Sequence, residues 1–217
     1  MVKRSFDTKK LVLLALFTAI AYLMVMVIRV PVVMFLSYEP KDVIITIGGF
    51  LFGPPAAAVV SLVVSLVEMF TISDTGPIGA LMNLLSTCSF ACTAAIIYKK
   101  KHTGAGALIG LLCGSLAMIA VMLLWNWLIT PLYMGVPRDQ VEALLIPAFL
   151  PFNVLKAGLN SAITLFLYKP LVGALRKARL VETAPVKKAS AKPMIYLVGA
   201  ALLVTCVLLY LALQGIL

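Results

Sequence analysis

The chain has 217 residues, 63% of them hydrophobic and 12% charged, with a mean hydropathy of +1.10 and a net charge of +10. That composition excludes a soluble domain and describes a polytopic membrane protein. Long apolar runs without alternation choose helices over a closed barrel, so the expected class is an all-α polytopic membrane protein.

The positive charge is segregated along the chain. The N-terminal lead, the Lys99–Lys101 run and the stretch from Lys169 through Lys192 hold 14 of the 18 basic residues and two of the eight acids, Asp7 and Glu182. That set nets +12 and the remainder nets −2. The positive-inside rule puts the first set, and with it the N-terminus, in the cytoplasm. A balance segregated in this way points to a membrane and not to a nucleic-acid partner. The first apolar run is too long for a cleavable signal and has no small-residue cleavage pattern.

Met1–Lys10 is a short basic lead, and Leu11–Val30 makes the first spanning helix, running outward. Ala15 and Ala19 in it have the small-xxx-small spacing that lets another helix approach closely. Pro31 breaks the chain. Val32–Asp42 reads as an outer loop that dips back over the membrane, and Val43–Phe52 is too short to span alone at about 1.5 Å per residue. Gly53-Pro54-Pro55 is an inner turn.

Ala56–Phe70 returns outward with Glu68 near its outer end, and Thr71–Gly79 is an outer loop. Ala80–Tyr98 goes back in, with Met82 and Asn83 at its outer end. Gly104–Thr130 goes out again, with Gly106, Gly110 and Gly114 at the spacing of close helix packing. Asn126 sits near its outer end between Trp125 and Trp127, which read as an interfacial belt. Pro131–Ile146 is an outer loop and Pro147–Leu175 comes back in. Residues 181–193 form a polar linker, and Met194–Leu213 is a further, charge-free span that leaves the C-terminus outside. The expected organisation is a six-helix unit over residues 1–180, the linker, and an additional helix within 194–217.

The stretch Pro147–Thr164 organises this reading. Asn153, Lys156 and Asn160 fall within roughly 60° of each other on one helix face, and Thr164 extends the stripe. A lysine in hydrocarbon costs about 2.5–3.5 kcal/mol or more, so it faces protein, water or a ligand. Snorkelling to the interface explains a lone lysine but not two asparagines aligned with it. Glu68, Met82, Asn83, Asn126, Asn153 and Lys156 come from four helices and all lie within about two turns of the outer face. They outline a polar pocket open outward and sealed below, which fits capture better than a through-pore. The alternatives are that Glu68 and Lys156 form a structural pair, or serve as a charge relay in a solitary carrier.

Cys88 and Cys92 share a helix face with no histidine or carboxylate near in sequence, and read as core fillers. His102 follows three lysines in a loop. There is no GxxxxGK[ST], GxSxG or HExxH, so neither ATP hydrolysis by a P-loop nor an intramembrane hydrolase is expected.

Four segments carry a resemblance. They are Tyr38-Glu39-Pro40-Lys41-Asp42, Ile47-Gly48-Gly49-Phe50-Leu51-Phe52-Gly53-Pro54, Thr75-Gly76-Pro77-Ile78-Gly79-Ala80-Leu81-Met82-Asn83 and Pro151-Phe152-Asn153-Val154-Leu155-Lys156. Together, over about residues 8–180, they resemble the riboflavin-binding S components of energy-coupling factor (ECF) vitamin transporters. The resemblance implies a six-helix substrate-binding subunit that is not an enzyme and has no cofactor, riboflavin being the transported ligand. It implies a coupling subunit and two ATPase subunits as partners in the cell membrane. It implies that Asn126, Asn153 and Lys156 bond the flavin, that Leu81, Met82 and Asn83 line it with Tyr38 and Glu68, and that Ala15 and Ala19 dock the coupling subunit. The additional helix departs from that pattern. The polar edge of an isoalloxazine suits Asn amides and a lysine donor, and Met82, Phe152 and Trp125 could cover its ring.

Overall fold

The structure is a computed structural model that describes residues 8–73, 75–178 and 192–215. The expected linker lies almost wholly outside the described residues, as do Asp7 and Glu182.

Helix α1, Thr8–Val27, is about 30 Å long by its rise, enough to cross the apolar core. It buries Leu13, Phe17, Ala21 and Val25, one residue per turn, half-buries Leu14, Ile20 and Met24 beside them, and exposes its opposite face. The segment expected to be a loop is a two-stranded antiparallel hairpin, β1 (Val30–Val33) and β2 (Leu36–Tyr38). Met34 makes its turn with φ of 50°, a conformation uncommon outside glycine. Among the described residues this hairpin is the one departure from an all-helical reading.

Helix α2, Lys41–Phe52, is only 12 residues and does not span by itself. Every residue from Lys41 to Phe50 is buried, because α2 stands in the middle of the bundle against α1, α3, α4 and α7. A Cβ on Gly49 would lie 3.1 Å from both Ala57 and Ala95, so glycine there permits the approach. At Gly53, φ of 93° reverses the chain into α3, Pro54–Thr71, with Pro54 opening the helix where its missing N–H costs nothing.

Helix α4 is Gly76–Lys100 and α5 is Gly104–Met134. They pack along one seam of small residues. A Cβ on Gly110 would sit 2.7 Å from the Ala94 carbonyl oxygen, and one on Gly114 2.5 Å from that of Phe90. Pro131 does not end α5 as expected; the helix carries it and stops one turn later at Gly135, in the left-handed conformation. The expected outer loop is therefore largely helix: α6, Arg138–Leu144, followed by a wider π turn at Leu145–Phe149. Pro151 has no N–H for the Pro147 carbonyl, and the backbone there widens so that the Leu150 N–H meets the Leu145 carbonyl. Trp127 is not simply a belt residue, since its indole N–H donates to Glu142 of α6 at 2.7 Å and Arg138 lies over its ring.

Helix α7, Leu150–Lys177, runs back and carries the polar stripe. Helix α8, Lys192–Leu213, packs on α7. Among the described residues six helical segments are long and apolar enough to cross a membrane, α6 and α7 counting as one; α2, the second helix in the chain, is not one of them. The protein is a multi-pass membrane protein.

Candidate functional site

The site is built on the first two residues of α2. Lys41 is 1% exposed, and its ammonium meets Glu39 at 2.8 Å and Glu68 of α3. Asn83 of α4 donates to the same Glu68 Oε2 at 3.0 Å. Asp42 is fully buried and faces the other way. It accepts from Thr87 of α4 at 2.6 Å and Asn160 of α7 at 3.0 Å, and pairs with Lys156 of α7 at 3.4 Å. Asp42 also lies in the first turn of α2, where the helix dipole favours an anion. Arg29, beyond α1, reaches Glu39 at 3.4 Å. Three cations thus meet three carboxylates around one helix start.

Buried charges are tolerated only when paired and hydrogen-bonded, which this arrangement achieves. It removes the alternative of a Glu68–Lys156 pair, and with it the relay between them: each is neutralised by a neighbour in Glu39-Pro40-Lys41-Asp42. In the sequence that segment reads as a charged run at the end of an outer loop. The signal that could have found it is the apolar run behind it, too short to span and therefore buried. The hairpin closes the layer, with Tyr38 donating to Asn160 at 3.2 Å. Burial, with the nearby Asp42 charge, pushes the Tyr38 phenol up, so it remains a donor.

Above this layer is a cavity of about 60 Å³ at the outer end of the bundle. Glu68, Met82, Asn83, Asn126, Asn153 and Lys156, the six residues singled out by depth, all line it. Arg29, Phe35 and Glu39, at or next to the hairpin, line it too, with Phe152 of α7. Two of the other expected site residues lie elsewhere. Leu81 is 48% exposed and turns away from the cavity, because Met82 and Asn83 occupy the inward face of α4 at that level. Tyr38 lies in the polar layer through Asn160 and does not line the cavity. Trp125 lies on an adjoining recess with Phe35, Met82 and Tyr133.

The amides are oriented by their own helices. Asn126 donates to the Met122 carbonyl and accepts from Thr130. Asn153 donates to the Phe149 carbonyl in the π turn, leaving its Oδ1 as an acceptor. Glu68 Oε1 is buried with no partner. The cavity therefore offers acceptors at Glu68 and Asn153, a charged donor at Lys156, and apolar surface at Met82 and Phe152. That set suits a neutral ligand with a flat apolar body and a rim of both donors and acceptors.

The expected docking alanines, Ala15 and Ala19, are both exposed. They lie on the side of α1 away from Phe17 and Ala21, so they do not pack within the bundle.

Residues 9–168 match the family model described as ECF transporter, substrate-specific component. The chain is 28% identical over 181 residues to the riboflavin transporter RibU of Staphylococcus aureus (strain TCH60), covering 79% of this chain and 94% of the relative. It is 24% identical over 187 residues to the riboflavin transporter FmnP of Bacillus subtilis (strain 168), covering 79% and 98%. Among solved structures it is similar to the S component of a bacterial ECF transporter, with a TM-score of 0.67 and 28% identity over 78% of this chain and 99% of that one. Helix α8 lies beyond the residues of the family match.

Proposed function

The chain belongs to the substrate-specific components of ECF transporters, and from that membership we propose that its outer cavity captures riboflavin. The observation that carries this reading is the cavity lining, in which Lys156, Asn153 and Glu68 present a charged donor and two acceptors beside Met82 and Phe152. A flavin ring needs that combination, with apolar cover for its plane and both kinds of hydrogen-bonding partner at its edge. The likeness to two riboflavin transporters supports the same ligand.

The substrate-specific component is a transport subunit and not an enzyme. In this reading Lys156 donates to a ring carbonyl or ribityl hydroxyl while Asp42 holds its charge. Asn126, Asn153 and Glu68 meet the polar edge, and Met82 and Asn83 pack beside it. At about 60 Å³ the cavity holds a few waters, whereas sites for ligands of this size run to about 300 Å³ or more. The hairpin and the Phe35 side chain must therefore move for riboflavin to enter.

Transport requires a coupling subunit and two ATPase subunits, and the exposed Ala15–Ala19 face of α1 is where we place the coupling subunit. The segregated lysines put the N-terminus in the cytoplasm and the hairpin, with the end of α8, outside. Residues 1–180 form the capturing unit, and α8 is an addition to it.

The test is what the purified protein carries and binds. Mass spectrometry of the protein from cells should find riboflavin, and calorimetry of the stripped protein should show one site. A protein that neither carries nor binds riboflavin while remaining folded would sink the reading.

A further inference from the structure

The cavity does not use α8, and the family match does not include it, yet α8 is firmly seated. A Cβ on Gly158 of α7 would lie 2.5 Å from the Cys206 sulfur, and one on Gly199 would lie 3.2 Å from the Phe166 ring. Both are close approaches between α7 and α8. Cys206 is 5% exposed, and the Phe166 and Tyr196 rings stack at 6.0 Å. These contacts fix the height of α8 along α7.

Its outer end meets the hairpin. Leu209, Tyr210 and Leu213 join the apolar cluster that contains Val32, Leu36 and Tyr38. Gln214 Nε2 donates to the Val32 carbonyl at 3.2 Å, across 182 residues of sequence. Val32 is a particular partner. The strands pair Pro31 with Ser37 and Val33 with Leu36, and the register slips between them, so Val32 has no opposite number. A bulged residue leaves the strand ladder locally unsatisfied. Here α8 supplies the donor.

We propose that the end of α8 is a latch on the hairpin lid, with Gln214 and its apolar neighbours holding β1, and through its pairing β2 and the Phe35 turn, which line the cavity, and slowing the opening of the hairpin. Hairpin residues form one wall of a cavity too small for a ring-sized ligand, so traffic in either direction waits on this motion. Gln214 is a positioning residue and touches nothing in the cavity. That the motion admits riboflavin rests on the reading above; the seating of the hairpin does not.

Hydrogen exchange on the full-length, ligand-free protein in detergent separates the two. Gln214→Met keeps the length of the side chain, removes the donor, and sits at an exposed helix end where folding is not at risk. The hairpin amides of residues 30–38 should exchange about 2- to 10-fold faster, the span that one net hydrogen bond allows. Amides of α2 and α4 and the melting temperature should not change. Unaltered hairpin exchange overturns the latch, and so does a uniform rise that includes α4, since Gln214 would then support the whole fold.

Riboflavin stopped-flow provides the second reading. Association and dissociation should both accelerate by a similar factor with little change in affinity, because the variant lowers the opening barrier and leaves the cavity lining intact. Unchanged rates in a protein that binds riboflavin overturn the latch. If the unsubstituted protein gives no riboflavin signal, the ligand reading fails and the exchange experiment still decides the latch.

Discussion

The outer and inner halves of the bundle solve the same packing problem with different physics. In the inner half, α4 and α5 meet through Gly110 and Gly114 against the Ala94 and Phe90 backbone, with no charge in the seam. Lipid tails are as apolar as leucine, so close contact between small residues is what holds such helices together. In the outer half, α2 begins with two buried charges and gathers Glu39, Glu68, Thr87, Lys156 and Asn160 around them. The inner half shows that this bundle needs no buried charge to pack. A network that costs desolvation and still leaves Glu68 Oε1 unpartnered beside a cavity fits the proposed capture of a polar-edged ligand there.

The comparison breaks most severely at Asp42. Asp42→Ala would leave Lys156, Asn160 and Thr87 buried without their common partner, at a cost of about 3–5 kcal/mol. A fall in melting temperature in detergent would measure it. A variant as stable as the parent would mean that the network is hydrated and not part of the framework. Next comes the cavity. Lys156→Gln keeps a hydrogen-bonding side chain beside Asp42 but removes the charge, and should weaken riboflavin binding by about 1.5–3 kcal/mol in a titration. An unchanged dissociation constant would confine Lys156 to neutralising Asp42. The inner seam should respond the other way. Gly114→Leu forces a side chain into the Phe90 carbonyl and should lower stability by about 1–3 kcal/mol, with riboflavin affinity of the folded fraction intact. A parallel loss of affinity would show that the two halves are one cooperative unit.

Sequence alone reveals more of the inner half and of the cavity lining than of the network beneath it. The glycine spacing in α5 reads directly as close packing, and the Asn153–Lys156–Asn160 stripe reads directly as a face, because helical periodicity is local. The pairing of those residues is not local. Lys41 and Asp42 find partners 27, 45 and 118 residues away, and only the burial of α2 brings them together. The lining set by depth reappears around one cavity, whereas Leu81 fails because adjacent helical positions point about 100° apart and Met82 takes the inward one. The hairpin escapes a reading by period because it is short, carries Pro31, and turns at Met34 without a glycine or asparagine. Pro131 looks like a helix stop and Pro147 like a helix start, and instead they lie within α5 and the π turn.

The smallest stability effect belongs to the outer surface of α1, and it sharpens the comparison by adding a small-residue seam that none of the described residues fills. Ala15 and Ala19 repeat the small-residue spacing of Gly110 and Gly114. The glycines are occupied by α4, and the alanines are exposed. Within the bundle, bulky residues at such a spacing would overpack and cost about 1–3 kcal/mol. On an exposed face the cost should stay within about 0.5 kcal/mol. Ala15→Trp with Ala19→Trp should therefore leave the melting temperature and riboflavin binding of the isolated chain near those of the parent. The backbone approach needed by a coupling subunit would be blocked, so co-purification with that subunit and uptake in cells should both fail. An assembled, active complex carrying both tryptophans would show that the coupling subunit docks on another face. A joint loss of stability and binding would instead return the alanines to the protein's own interior.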